Sequence, residues 1–171
     1  MLYSPESAKY AKEDAMNIES LMSDLKNGLG MARVNAAVEL GKLKDKRAEK
    51  ALIEALNDKN MAVRNNAAFA LGELGSHAAA PRLIDLLHAP EERVRKSAVK
   101  ALGMIGAREA IELLIHLLDT DKSRIVQKSA IRSLGQIGGQ KALRAVEPFV
   151  ASPDAILADM AKKAVEMITK K

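Results

Sequence analysis

The sequence predicts an all-α protein, a right-handed superhelical α/α solenoid of about five stacked helical hairpins. Three observations predict it. The pairs Leu40-Gly41, Leu71-Gly72, Leu102-Gly103 and Leu134-Gly135 place their glycines 31, 31 and 32 residues apart, a fixed period in the range of stacked repeat arrays. Apolar residues around each pair recur at three- and four-residue steps, which is one face of a helix rather than the alternation of a strand. Only 2% of the 171 residues are aromatic and none is Trp. The core must therefore come from Ala, Leu, Ile, Val and Met, which suit closely packed helices better than strands.

The chain is expected to be one domain, 1–171, with an N-terminal cap over 1–16 and repeats over 17–169. The cap begins "MLYSPES", in which Ser4 reads as an N-cap and Pro5 as the first helical residue. Its apolar residues, Leu2, Tyr3 and Tyr10, are expected to fold back over Val34, Val38 and Phe69, which occupy places that later units fill with charge. A dimer interface is the alternative cover for that patch.

The repeats start with an inner helix in "NIESLMSDLK", whose Leu21, Met22 and Leu25 face the core. Outer helices follow in "ARVNAAVELGKL", "VRNNAAFALGELG", "VRKSAVKALGMIG" and "VQKSAIRSLGQIG", with a degenerate fifth copy, "MAKKAVEMIT". Ala36, Ala67, Ala98, Ala130 and Ala164 fill one column of small residues. Gly75, Gly106 and Gly138 stand where helices end with φ > 0, whereas the first unit has Lys44 there. Gly72, Gly103 and Gly135, one turn earlier, each cost about 1 kcal/mol of helix propensity. They predict close approach by a partner helix. Between the outer helices lie inner ones, typified by "AREAIELLIHLL" with Ala110, Leu114, Leu117 and Leu118 inward. The fourth inner helix contains Pro148, which should kink or shorten it. One such hairpin cannot bury its apolar face alone, so the units must stack.

Val-Arg followed by Ala and Leu-Gly-x-Ile/Leu-Gly, at 63–75 and 94–106, resembles the HEAT-like repeats of the phycobilisome (bilin) lyases. The resemblance covers about 17–169 and implies an armadillo-like solenoid with outer helices on the convex side and inner helices on the concave side. It also implies a range of functions, because scaffolds, lyase subunits, a hydroxylase and DNA glycosylases share such repeats.

Composition excludes several chemistries. With no Cys there is no disulfide framework, thiolate nucleophile or Cys-ligated zinc. No apolar run approaches the roughly 20 residues of a membrane span, and the N-terminus lacks the apolar core of a signal peptide, so a cytoplasmic protein is expected. The net charge of +5 is mild for this length.

Arg33, Arg64 and Arg95 share one place in three units, with Gln127 in the fourth. Each arginine is expected to pair with a loop carboxylate such as Asp58 or Asp121, because a guanidinium fork matches a carboxylate. The outer helices carry a later basic ridge of Lys96, Lys100, Lys128, Arg132 and Lys162, without interleaved aromatics for base stacking. The exposed inner-helix stripe is acidic at its centre, with two histidines, and basic at its flanks. Its candidate partner-binding residues are Lys50, Glu54, Asp85, His88, Glu109, Glu112, His116, Asp119 and Arg144. Carboxylate and histidine meet at metal-ligand spacing in Glu112/His116 and Asp85/His88, yet helices roughly 10 Å apart do not converge four ligands.

The function expected is a non-catalytic scaffold or adaptor that binds a protein partner, one with a basic segment, through the concave face. No catalytic residue, metal or cofactor is assigned, and neither nucleic acid nor membrane is expected as a partner. The chain is read as a monomer or weak homodimer. Two rivals are a bilin-lyase-like enzyme subunit and a nucleic-acid-binding protein using the basic convex ridge. Against the first, no nucleophile–base set is visible. The His-Glu pairs that the related hydroxylase uses for iron are also missing, since Ala78, Ala89 and Leu117 follow His77, His88 and His116.

Overall fold

The computed structural model describes residues 17–170. The cap assigned to 1–16 lies outside them. Among the described residues the chain forms ten α-helices and no strand, stacked as a right-handed α/α solenoid. The helices are α1 over 17–27, α2 (Gly30–Leu43), α3 (Glu49–Ala55), α4 (Met61–Leu74), α5 (Ala80–Asp85), α6 (Glu92–Ile105), α7 (Ile111–Thr120), α8 (Arg124–Ile137), α9 (Gln140–Val146) and α10 (Ala155–Thr169). The even-numbered helices, expected to be the outer set, have 14 or 15 residues each. Helices α3, α5, α7 and α9, expected to be inner, have 6 to 10. The two sets are called long and short below.

Leu-Gly-x-Leu/Ile-Gly works as a helix terminator. Gly75 adopts φ 69° and Gly106 φ 68°. The Ser76 amide donates to the Leu71 carbonyl at 3.0 Å and the Gly75 amide to the Gly72 carbonyl at 3.1 Å. Ala107 and Gly106 repeat the pair on Leu102 and Gly103. This is a Schellman ending, which satisfies carbonyls the helix leaves open. Lys44 holds the same left-handed conformation, φ 51°, as a non-glycine residue. The fourth unit differs. Gly138 and Gly139 both have positive φ but extended ψ, and α9 starts directly, without the leading 3-10 turn of the earlier short helices. Those turns, Lys46–Ala48, His77–Ala79 and Arg108–Ala110, each end on a fully buried alanine. Pro148 acts as expected: α9 stops at Val146 and a 3-10 turn, Glu147–Ala151, carries the proline. The loss is small, since α9 equals α3 in length.

The core is one continuous cluster. The alanine column is buried at every position, and Leu40, Leu71, Leu102 and Leu134 are at most 1% exposed. Full burial of each such leucine stabilises by roughly 2 kcal/mol. The most extensive interfaces run between successive long helices. A Cβ on Gly72 would stand 2.9 Å from Ala101 Cα, and one on Gly135 would stand 2.9 Å from Ala164 Cα. On Gly103 it would stand 2.5 Å from Ser133 Oγ. The close partner of each glycine is therefore the next long helix, not the short helix of its own hairpin.

That packing corrects the expected placement of the two faces. Successive short helices meet far less than successive long ones. In a curved stack the layer with the closer spacing lies on the inside of the curve. The long helices occupy the inner side, and the short helices, with the nine candidate residues, the outer side.

Candidate functional site

The arginines form a structural ladder. Arg33 grips Asp58 with Nε at 2.6 Å and Nη2 at 3.1 Å while Nη1 donates to the Gly28 carbonyl. Arg95 grips Asp121 at 2.7 and 3.1 Å and donates to the carbonyls of Ala89 and Pro90. Each thus ties the loop before its own helix to the loop of the next unit. Arg64 takes a glutamate instead, donating to Glu91 Oε1 at 2.6 Å. The repeat-equivalent place there is Ala89, and the longer Glu91 side chain makes up the reach. Gln127 donates to the Asp121 carbonyl, and Arg124 pairs with Asp154 in its place.

These partners set the acidities. Burial raises the Asp58 and Asp121 carboxyls. Hydrogen bonds from Arg33 and Arg95 and from the Asn60 and Ser123 amides outweigh it, so both titrate below the usual carboxylate range. The Arg64 hydrogen bond likewise lowers Glu91.

All nine candidate residues, on the short helices or the 3-10 turns adjoining them, are exposed. Their charge is less concentrated than the sequence implies. Glu112 pairs with Lys141 of the next short helix, and Asp85 lies 3.6 Å from Arg82. Among the described residues no group of three His, Asp or Glu side chains is placed to hold a metal ion. None of the helices described is long and apolar enough to cross a membrane.

Between the long helices the surface is troughed. One opening is lined by Lys96, Lys100, Lys128 and Arg132 with Ile125 and Met160. Beside it, Phe69, Glu73, Met104 and Gln136 line a second opening that shares Lys100 and Arg132. Lys100 Nζ stands 5.3 Å from the Phe69 ring centre, within cation–π range. Phe69 is 43% exposed and Ile125 47%. The ridge lysines were legible in the sequence; the apolar floor beneath them was not. Its signal was Ile125, which stands one repeat after Arg93.

HEAT repeats match the chain over residues 18–103 and 81–166. The chain belongs to the HEAT-repeat family. Among solved HEAT-like folds it is similar to the phycocyanin lyase complex of CpcE and CpcF from Nostoc sp. PCC7120. Identity there is 30% and the TM-score 0.80, over 90% of this chain and 65% of that one, so this chain spans less than two thirds of that relative's length. A designed armadillo repeat protein in complex with the peptide (KR)4 is 22% identical, TM-score 0.72, over 95% of this chain and 86% of that one. Human deoxyhypusine hydroxylase is 19% identical, TM-score 0.61, over 92% and 75%. The last two likenesses are of fold. No curated protein sequence matches the chain.

Proposed function

We propose that this chain is a non-catalytic HEAT-repeat scaffold that holds a protein partner on its helical surfaces, as a monomer or weak homodimer. One observation carries the reading. The guanidinium–carboxylate pairs that are part-buried and geometrically fixed, Arg33–Asp58, Arg64–Glu91 and Arg95–Asp121, all join one unit to the next. What remains for function is an extended, stiff surface, which suits recognition by many shallow contacts.

The short-helix face is the surface for a basic segment. Glu54, Glu109 and Asp119 have no side-chain partner among the described residues and supply its negative charge, with Lys50 and Arg144 at the flanks and His88 and His116 between. Complementary charge there would set register and association rate. The similarity to a phycocyanin lyase supports the rival reading, an enzyme subunit acting on a bilin.

The test is co-purification of the partner from the native host, followed by incubation of the purified pair, with and without a bilin, and intact-mass spectrometry. Binding without any change in covalent mass is expected. Transfer of a bilin, or another mass change that requires this chain, would overturn the scaffold reading. Glu112→Lys with Asp119→Lys should weaken binding of a basic partner; unchanged binding would remove that face from the proposal.

A further inference from the structure

We infer that the long-helix trough is a second docking site, and that its occupant is an acidic peptide segment carrying a large apolar side chain. The inference rests on the scaffold reading but uses the opposite side of the stack.

The trough crosses three units. Lys96 and Lys100 come from α6, Ile125, Lys128 and Arg132 from α8, and Met160 from α10. No carboxylate lines this opening among the described residues, and Glu73 at the adjoining one is paired with Lys44. Lys96 and Arg132 have neither an ion pair nor a hydrogen bond with a described side chain. This is the reverse of the ladder, where each cation of the same helices has a fixed anion. Four like charges around one opening repel one another. A carboxylate-bearing segment turns that repulsion into attraction.

The apolar component decides between ligand classes. Ile125 is nearly half exposed and lies with Met160 among the cations. Next to them the Phe69 ring lies beneath Lys100. Aliphatic and thioether side chains among lysines fit a Leu or Phe flanked by Asp and Glu. A nucleic acid would present phosphates to the lysines, but it has little to place on an aliphatic floor, and a single aromatic gives one stacking platform. The segment lies across the long helices, so its acidic residues meet cations from successive units.

The test is fluorescence anisotropy on the full chain with three labelled probes: the peptide Glu-Asp-Leu-Glu-Glu-Phe-Glu-Asp, a Lys-Arg repeat peptide and oligothymidylate. The acidic peptide should bind, and bind more weakly as salt rises. Lys128→Glu with Arg132→Glu should weaken it by about tenfold or more, and Ile125→Ser by several-fold, with circular dichroism unchanged. Glu112→Lys with Asp119→Lys, on the other face, should not weaken it. Tighter binding of oligothymidylate than of the acidic peptide would overturn the inference in favour of nucleic acid. Binding insensitive to both trough substitutions would also overturn it, as would no acidic-peptide binding. If the acidic peptide fails these tests while a natural partner still binds the chain, the scaffold reading stands and this site falls.

Discussion

Asp121 has a side chain only 3% exposed and is held by the Arg95 fork and the Ser123 amide. Asp58 repeats the arrangement with Arg33 and Asn60. Both carboxyls titrate lower folded than unfolded. Their contribution is therefore complete above the ordinary Asp pKa of about 3.9 and is lost as pH falls through the lower folded-state values. Asp121→Asn should cost about 2 kcal/mol in urea unfolding at neutral pH, because it leaves Arg95 part-buried without its anion. It should also flatten the loss of stability below about pH 4; a pH series of thermal melts on wild type and variant checks this. The pairings of Arg33 and Arg95 could be read from their fixed place in the repeat. That of Arg64 could not, because Ala89 interrupts the pattern and Glu91 reaches in from two residues later. Lys44 gives the opposite prediction. Its left-handed backbone costs a non-glycine residue about 1 kcal/mol, more than its exposed ion pair with Glu73 returns. Lys44→Gly should raise stability by up to about 1 kcal/mol, measured by the urea midpoint.

Helix length and helix ends were the most legible features, since Leu-Gly-x-Ile/Leu-Gly carries both the buried leucine and the terminating glycine. Which helix meets the inner glycine was not legible. A period reports that a close neighbour exists, and only the packing shows that it is the next long helix. The interface predicts a reversal of ordinary propensity. An exposed Gly→Ala change in a helix gains about 1 kcal/mol. At Gly72 the new Cβ would meet the backbone of Ala101, and at Gly135 that of Ala164. Neither can yield as a flexible side-chain end could. Gly72→Ala and Gly135→Ala should therefore destabilise by about 1–3 kcal/mol, read from urea unfolding, and should open the spacing between neighbouring units. Stabilisation at either position would show that the long helices are less closely packed than described. Pro148 illustrates a feature readable in kind but not in consequence: the switch to a 3-10 turn follows from the ring. That it shortens nothing relative to α3 follows from a repeat whose short helices end early elsewhere too.

Across the whole molecule, the resemblance implied the stack but placed its two sides the wrong way round. Curvature depends on which layer packs closer, and the small residues that decide it, Gly72, Gly103 and Gly135 against Ala101, Ser133 and Ala164, lie on the long helices. The candidate face was legible as a list of exposed charges. The pairing of Glu112 with Lys141 was not, because that cation stands on the next short helix and only three dimensions bring the two together, whereas Arg82 and Asp85 are three residues apart on one helix. The resulting molecule has two unlike sides: a short-helix face with unpaired carboxylates, and a long-helix trough of cations over an apolar floor. Such a stack is suited to hold two segments of opposite charge at once. The most direct measurement of that claim is a pair of heteronuclear NMR titrations of the isotope-labelled chain, one with the acidic peptide and one with the Lys-Arg peptide. The acidic peptide should move amides around Lys96, Lys100, Ile125 to Arg132 and Met160, and the basic peptide those around Glu54 and from Glu109 to Asp119. Both peptides shifting the same face, or neither producing a localised, saturable change, would contradict that claim.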